Sequence, residues 1–344
     1  MSLETHLIRD FRLRRGGVLQ EARIAYLTLG RLAPDGRNAI LMTHGYTSGP
    51  EYILGGTGAS EGSWGELVGP GKPVDTNKFF VVSSNMLGSS FGSTNAASID
   101  PATGHPYGSR FPDLTVEDIV RAQRELLDAL GVRHLVAVIG PSYGGFQAFQ
   151  WAVTYPDFMD GIVAAVTAPK LPPGRLQSLL ARLSQDPGWN GGDYYDRPGA
   201  MLETLTEIRT ETLRGYGAEA QLADRFPEPA RREAELGRIA RAWAEQFDAN
   251  SLVILRKALE HFDVTPAFAR IRAKVLYVLS TTDSLFPPSL APEVMEGLRA
   301  AGVDATYFEL ESPYGHLASG RDSGRWAEPL RIFIDKLTHA RLSR

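Results

Sequence analysis

Residues 135–146 read Leu-Val-Ala-Val-Ile-Gly-Pro-Ser-Tyr-Gly-Gly-Phe, and this stretch decides the fold. Residues 135–139 form a short apolar run, the pattern of a strand buried on both faces. Gly140-Pro141-Ser142-Tyr143-Gly144 then matches Gly-x-Ser-x-Gly. Residues 146–155 follow with helical character and stop at Pro156. A strand, a tight turn and a helix in this order force the serine into a strained conformation at the top of a sheet. Small flanking residues are needed because the turn crowds its neighbours. Ser142 is thus a candidate nucleophile, against the plainer reading of a serine that caps a helix.

A serine hydroxyl is a weak nucleophile unless a histidine takes its proton and an acid orients that histidine. On an elbow of this kind the chain order is serine, acid, histidine. Only His261, His316 and His339 follow Ser142. His339 lies in the C-terminal tail and His261 in a helical stretch. His316, in Ser-Pro-Tyr-Gly-His, follows an apolar strand over 305–310 and is the expected base. Asp283 stands just past a strand over 274–279 and is the expected acid, with Asp263 as the weaker alternative. Acyl transfer also needs two backbone N–H donors for the oxyanion. One is expected from Tyr143, the residue after the nucleophile. The other is assigned to Tyr46, in the His44-Gly45-Tyr46-Thr47 loop, where His44 reads as a loop-orienting hydrogen bonder.

Outward from the elbow, strands and helices alternate. Residues 6–13 and 18–29 read as an antiparallel hairpin around Gly16-Gly17. Residues 38–43, 78–83, 134–139, 161–166, 274–279 and 305–310 read as further strands. Helical spacing marks 115–130, 146–155, 293–301 and 324–337. The alternation implies an α/β fold with a mostly parallel central sheet covered by helices on both faces. Between 171 and 263 the chain is rich in Arg, Glu and Ala and has no convincing buried strand. The expected organisation is a core of residues 1–170 and 264–344 with a helical lid, 171–263, inserted into it. Residues 43–109 are rich in Gly, Ser and Pro and must hold long ordered loops.

The bulk numbers exclude several classes of function. The 344 residues carry a formal net charge of −4, which gives no general attraction to nucleic acid or anionic membrane. Arg231, Arg232 and Arg238 are interleaved with acidic residues and read as a solvated helix face. There is no cysteine, so disulfides, a thiolate nucleophile and Cys-based zinc sites are out. No His-Glu-x-x-His, Walker-type loop or metal-binding cluster is visible. The glycines at 55, 56, 58 and 62 do not follow a strand with dinucleotide-binding spacing. No signal peptide or membrane-spanning run is visible, and the expectation is a cytoplasmic protein.

Several motifs resemble the homoserine O-acetyltransferase family of α/β hydrolases. They are residues 67–72, 84–88, 91–94, 186–195 and 247–251, together with Tyr314-Gly315-His316. The resemblance runs from about residue 5 to residue 335. It implies the α/β-hydrolase fold with a helical lid, and Ser142, Asp283 and His316 as the triad. It also implies an acyl-serine intermediate passed to an acceptor, and a homodimer formed through the lid.

Two positions depart from the family pattern. Its catalytic histidine is typically followed by an Asp that helps hold the amino-acid acceptor, where this chain has Leu317. The lid Arg expected to hold the acceptor carboxylate falls on Leu180, with Arg182 close by. A site that loses charged partners for a zwitterion binds it far less well. The expectation is therefore a carboxylic ester hydrolase for short, acetyl-type acyl esters, with no cofactor. The first alternative is an acyltransferase using acyl-CoA as co-substrate, and the second a non-catalytic binding protein. Phe91, Tyr46, Tyr143, Trp64 and Phe286 are the expected pocket walls.

Overall fold

Gly16 and Gly17, with φ of 92° and 91°, turn the chain between β1 (Glu4–Arg12) and β2 (Val18–Leu29). The two strands pair antiparallel, with Phe11 opposite Leu19. The computed structural model describes residues 3–55 and 63–342, so Gly56, Gly58 and Gly62 lie outside the described residues.

The remaining strands are β3 (Ala39–Thr43), the short pair β4 (Val68–Gly69) and β5 (Val74–Asp75), and β6 (Phe80–Ser84). After them come β7 (Leu135–Pro141), β8 (Met159–Ala165), β9 (Lys274–Ser280) and β10 (Ala305–Leu310). They form an eight-stranded sheet in the order β1-β2-β6-β3-β7-β8-β9-β10, while β4 and β5 form a separate ribbon. From β6 to β10 every pairing is parallel. The central strands are buried along their whole length, which is why they read as continuous apolar runs. Alternate residues feed opposite layers. Leu41 and Val138 join the core on one face, and Ile40, Met42, Ala137 and Ile139 the core on the other.

Helix α1 (Val116–Ala129) starts from a capping box in which Thr115 and Asp118 satisfy each other's amides. It packs beside α2 (Tyr143–Thr154) on the first face. Helix α2 begins three residues before its sequence pattern, because Gly144 and Gly145 leave no apolar signal. A Cβ on Gly145 would stand 2.3 Å from Thr167 Cγ2, so the helix lies against the loop after β8.

Between β8 and β9 run α3 (Arg175–Leu183), α4 (Leu202–Gly215), α5 (Ala218–Ala223), α6 (Pro229–Ala244) and α7 (Ala249–Leu259). They close two small apolar clusters of their own, one joined by Tyr46 and Phe91 and the other by Leu317. These three residues are where the helical block meets the loops at the top of the sheet. Helix α8 (Ala291–Ala300) links β9 to β10. The chain ends with α9 (Ala318–Arg321) and α10 (Ser323–Leu342), whose Trp326, Leu330, Phe333 and Leu337 cover the second face.

Candidate active site

Strand β7 delivers Ser142 into a backbone conformation of φ 53°, ψ −119°. A non-glycine residue there stores on the order of 1–3 kcal/mol, so its surroundings must hold it. They do. Ser142 N donates to Ala165 O at 2.9 Å. Ser142 O accepts from Gly145 N at 2.9 Å, from Phe146 N at 3.3 Å and from Thr167 Oγ1 at 2.7 Å. The glycines are steric necessities. A Cβ on Gly140 would lie 2.2 Å from Thr43 Oγ1, and one on Gly144 2.2 Å from Thr43 O.

His316 sits in a 3-10 turn, Gly315–Leu317, after β10. Its Nδ1 lies 2.8 Å from Asp283 Oδ2. Asp283 is fixed in turn, since its Oδ1 accepts from Leu285 N at 2.8 Å and Phe286 N at 3.2 Å. Both side chains are buried, Asp283 at 1% and His316 at 3% exposure. With Nδ1–H donated to the carboxylate, Nε2 is left as the basic nitrogen, and it has no hydrogen-bond partner among the described residues. The ring lies between Tyr216 and Phe286, at centroid distances of 4.7 and 5.6 Å. Asp263 is elsewhere, accepting from Thr265 N and Oγ1 at an exposed turn. It is a turn former.

Tyr46 and Tyr143 are brought together. Their rings stack at 6.0 Å with 5° between planes. Tyr46 OH donates to Leu252 O at 2.6 Å and Tyr143 OH to Leu255 O at 3.1 Å, both carbonyls on α7. Burial pushes both phenols above their ordinary value, and Arg256 partly offsets this. They remain neutral donors at physiological pH. As the first residue of α2, Tyr143 has an amide with no intrahelical acceptor. His44 is held by contacts to Gly45 O and Asn85 Oδ1, each at 2.9 Å. It orients the loop that carries Tyr46.

Ser142, Tyr46 and Tyr143 line a cavity of about 1100 Å³, and Tyr216 and Phe286, the two rings that flank His316, line it too. The helical block supplies the facing wall, through Leu179, Arg182, Thr212 and Trp243 among others.

Comparison with known proteins gives this arrangement a family. The model of the alpha/beta hydrolase fold matches residues 38–320. A homoserine O-acetyltransferase from Symbiobacterium thermophilum is 40% identical over 94% of this chain and 92% of its own. The crystal structure of a homoserine O-acetyltransferase from Bacillus anthracis superposes with a TM-score of 0.85 at 27% identity, covering 97% of each chain. A solved esterase superposes with a TM-score of 0.86 at 26% identity, covering 97% of this chain and 99% of that one. The chain belongs to the homoserine O-acetyltransferase-like family of α/β hydrolases. It is an enzyme of that family.

The structure revises the substrate-side positions. Leu180 packs into the apolar cluster of the helical block beside Leu176 and Leu179 and is not among the residues lining the cavity. Leu317 is also off the cavity wall, 3% exposed in the cluster with Leu213, Tyr216 and Leu236. Phe91 packs against Phe247, ring centroids 5.6 Å apart, and Trp64 against Trp326 at 5.3 Å. Trp64 is fully buried and Phe91 partly buried, and neither is among the residues lining the cavity. Arg182 does line the cavity, paired with Glu207 and, at 3.7 Å, with Glu211.

The residue that the sequence reading missed is Arg209 of α4, fully buried at 0% exposure. Its Nη1 donates to Thr47 Oγ1 at 2.7 Å, and its guanidinium lies 5.1 Å from the Trp243 ring. Thr47 and Trp243 are both on the cavity wall. In a helix reading Leu-Glu-Thr-Leu-Thr-Glu-Ile-Arg-Thr-Glu, one arginine among surface charges carries no signal of burial.

Proposed function

We propose that this chain is a serine acyltransferase of the homoserine O-acyltransferase type. It takes an acyl group from a thioester such as acyl-CoA and passes it to the hydroxyl of an amino-acid acceptor. The observation that carries the reading is the His316 ring. Its Nδ1 is tied to buried Asp283 and its Nε2 is unpartnered beside the cavity that Ser142 lines. In this reading Nε2 takes the Ser142 proton as Oγ attacks the acyl carbonyl. The amides of Tyr46 and Tyr143 hold the oxyanion. Protonated His316 then returns the proton to the leaving thiolate, which leaves acyl-Ser142. The acceptor hydroxyl repeats the sequence in reverse.

A cavity of about 1100 Å³ is at the upper end of small-molecule sites and far exceeds what a simple acetate ester fills. Arg209 stands behind that wall, its Nη1 donating to Thr47 Oγ1 and its guanidinium 5.1 Å from the Trp243 ring, and the names of the relatives support acyl transfer. The test is incubation with acetyl-CoA and homoserine, following where the acetyl group goes. O-acetylhomoserine is the expected product, and release of acetate alone would overturn the transferase reading.

One observation favours a second reading, hydrolysis of the acyl-serine. Leu317 follows His316 directly and is buried among apolar side chains, so that position offers nothing polar to hold an acceptor's ammonium. Free acetate at the same rate with and without homoserine would select it.

A further inference from the structure

The cavity extends well past the reacting groups. Leu290, Val294, Gly297 and Ala301 line it and recur at helical spacing along one face of α8. Across from them stand Pro266, Phe268 and Ala269, from the 3-10 turn Thr265–Arg270. At the near end the Phe286 ring lies 5.6 Å from His316, tilted, and 5.8 Å from Phe146, edge-on, so this arm begins beside the His316 ring. From Leu290 to Ala301 a helix rises by ~16 Å. At about 1.2 Å of extended chain per bond, that length holds roughly a dozen bonds.

The chemistry of the arm differs from that of the rest of the cavity. Its polar side chains are already partnered, Lys170 with Glu293 at 2.6 Å and Thr265 with Asp263 at 2.6 Å. The other residues named offer only hydrocarbon. The named side chains offer an amide no partner there, whereas methylenes would gain by covering this apolar surface. On the opposite side Thr47, Arg182, Glu211 and Thr212 line the same cavity, a polar wall suited to leaving group and acceptor. At Gly297 the arm is shallow, because α8 packs there on Phe268 so closely that a Cβ would approach that ring to 3.3 Å. Ala300 and Ala269 are exposed, so the far end opens to solvent and sets no sharp upper limit.

We propose that this α8 arm is a subsite for the acyl chain of the donor, and that the enzyme accepts extended saturated acyl groups well beyond acetyl. The inference rests on Ser142 being the residue that is acylated. The experiment uses the full chain with p-nitrophenyl esters from acetate to laurate, alongside acetate esters of alcohols of matching length. In the acyl series kcat/KM rises by about two- to fourfold per methylene while the chain fills the arm. Ala300→Trp, a change at an exposed helix position, lowers turnover of the longest acyl esters by about tenfold or more. Gly297→Leu cuts the series at shorter chains. Both are read as the ratio of long-chain to acetate turnover.

A flat or falling acyl series, or variants that match wild type throughout, would overturn the subsite while acetate turnover still upheld Ser142. A length dependence confined to the alcohol series would overturn the acyl assignment. Failure of every ester, acetate included, would instead overturn the Ser142 reading, and the subsite with it.

Discussion

The two walls of the cavity are built on different physics. On the sheet side Ser142, His316 and Asp283 are 7%, 3% and 1% exposed, held by hydrogen bonds from segments far apart in sequence. On the helical side the outward charges are paired at the surface, Arg182 with Glu207, Arg214 with Glu233, Arg241 with Glu203. Such exposed pairs contribute about 0–1 kcal/mol each. The sheet wall therefore has one geometry, and any change in it is costly. The helical wall is a set of weak surface links around small apolar clusters, and it can change composition without loss of fold. In the proposed reading this divides the labour, with bond-making fixed on the sheet side and the acceptor met by the helical block.

The largest effect should come from the sheet wall. His316→Ala is expected to lower kcat by about 10³-fold or more and to lower stability by about 2–3 kcal/mol, because it takes a hydrogen bond from buried Asp283 and leaves a cavity. Stopped-flow acylation and a thermal melt check the two halves. A small effect on rate would break the contrast between the walls.

The next effect concerns the one rigid point of the helical wall. Asp248 caps α7 by accepting from Ser251 N at 3.1 Å, and it accepts from the Tyr194 and Tyr195 hydroxyls. Burial holds its carboxyl above the usual range. Asp248→Ala orphans those donors and should cost about 2–3 kcal/mol in urea unfolding. The loss should be far larger than from any exposed ion pair.

Tyr46→Phe sharpens the comparison, since its hydroxyl is one of the ties from the 44–47 loop to the helical block, donating to Leu252 O of α7. Loss of one such bond costs about 1 kcal/mol. It should appear as a several-fold fall in kcat with KM nearly unchanged. A change in KM alone would mean that the ring acts only as a binding wall. The smallest effect is expected from Arg241→Ala, which removes exposed pairs with Glu203 and Glu245. It should shift stability by less than about 1 kcal/mol, with the acylation rate unaltered.

The same contrast explains what the sequence revealed. Buried strands announce themselves as apolar runs, and a strained serine demands glycines at fixed offsets, so the sheet and the elbow around Ser142 were legible residue by residue. So were the positions of Asp283 and His316, because each follows a strand whose apolar run is unmistakable. The helical block gave only its helical composition. Leu180 reads as the position of the family's acceptor-holding Arg, yet α3 turns it into the block's own cluster. Arg209 reads as one more surface cation, yet α4 buries it behind Thr47. Which face of a helix turns inward depends on how the block docks on the loops at 44–49 and 314–317, a long-range fact without a local signature. The early start of α2 was hidden for a simpler reason. Glycines at 144 and 145 carry no periodicity, although the close approach of Thr43 and Thr167 requires them.

The central claim is that Ser142 carries the acyl group. It is tested most directly by mixing the protein with acetyl-CoA without acceptor, quenching in acid within the first turnovers, and mapping the acetyl group by peptide mass spectrometry. The account predicts one acetyl group on the peptide containing Ser142, absent from Ser142→Ala and discharged when homoserine is added before the quench. An acetyl group on another residue, or wild-type turnover by Ser142→Ala, would contradict it.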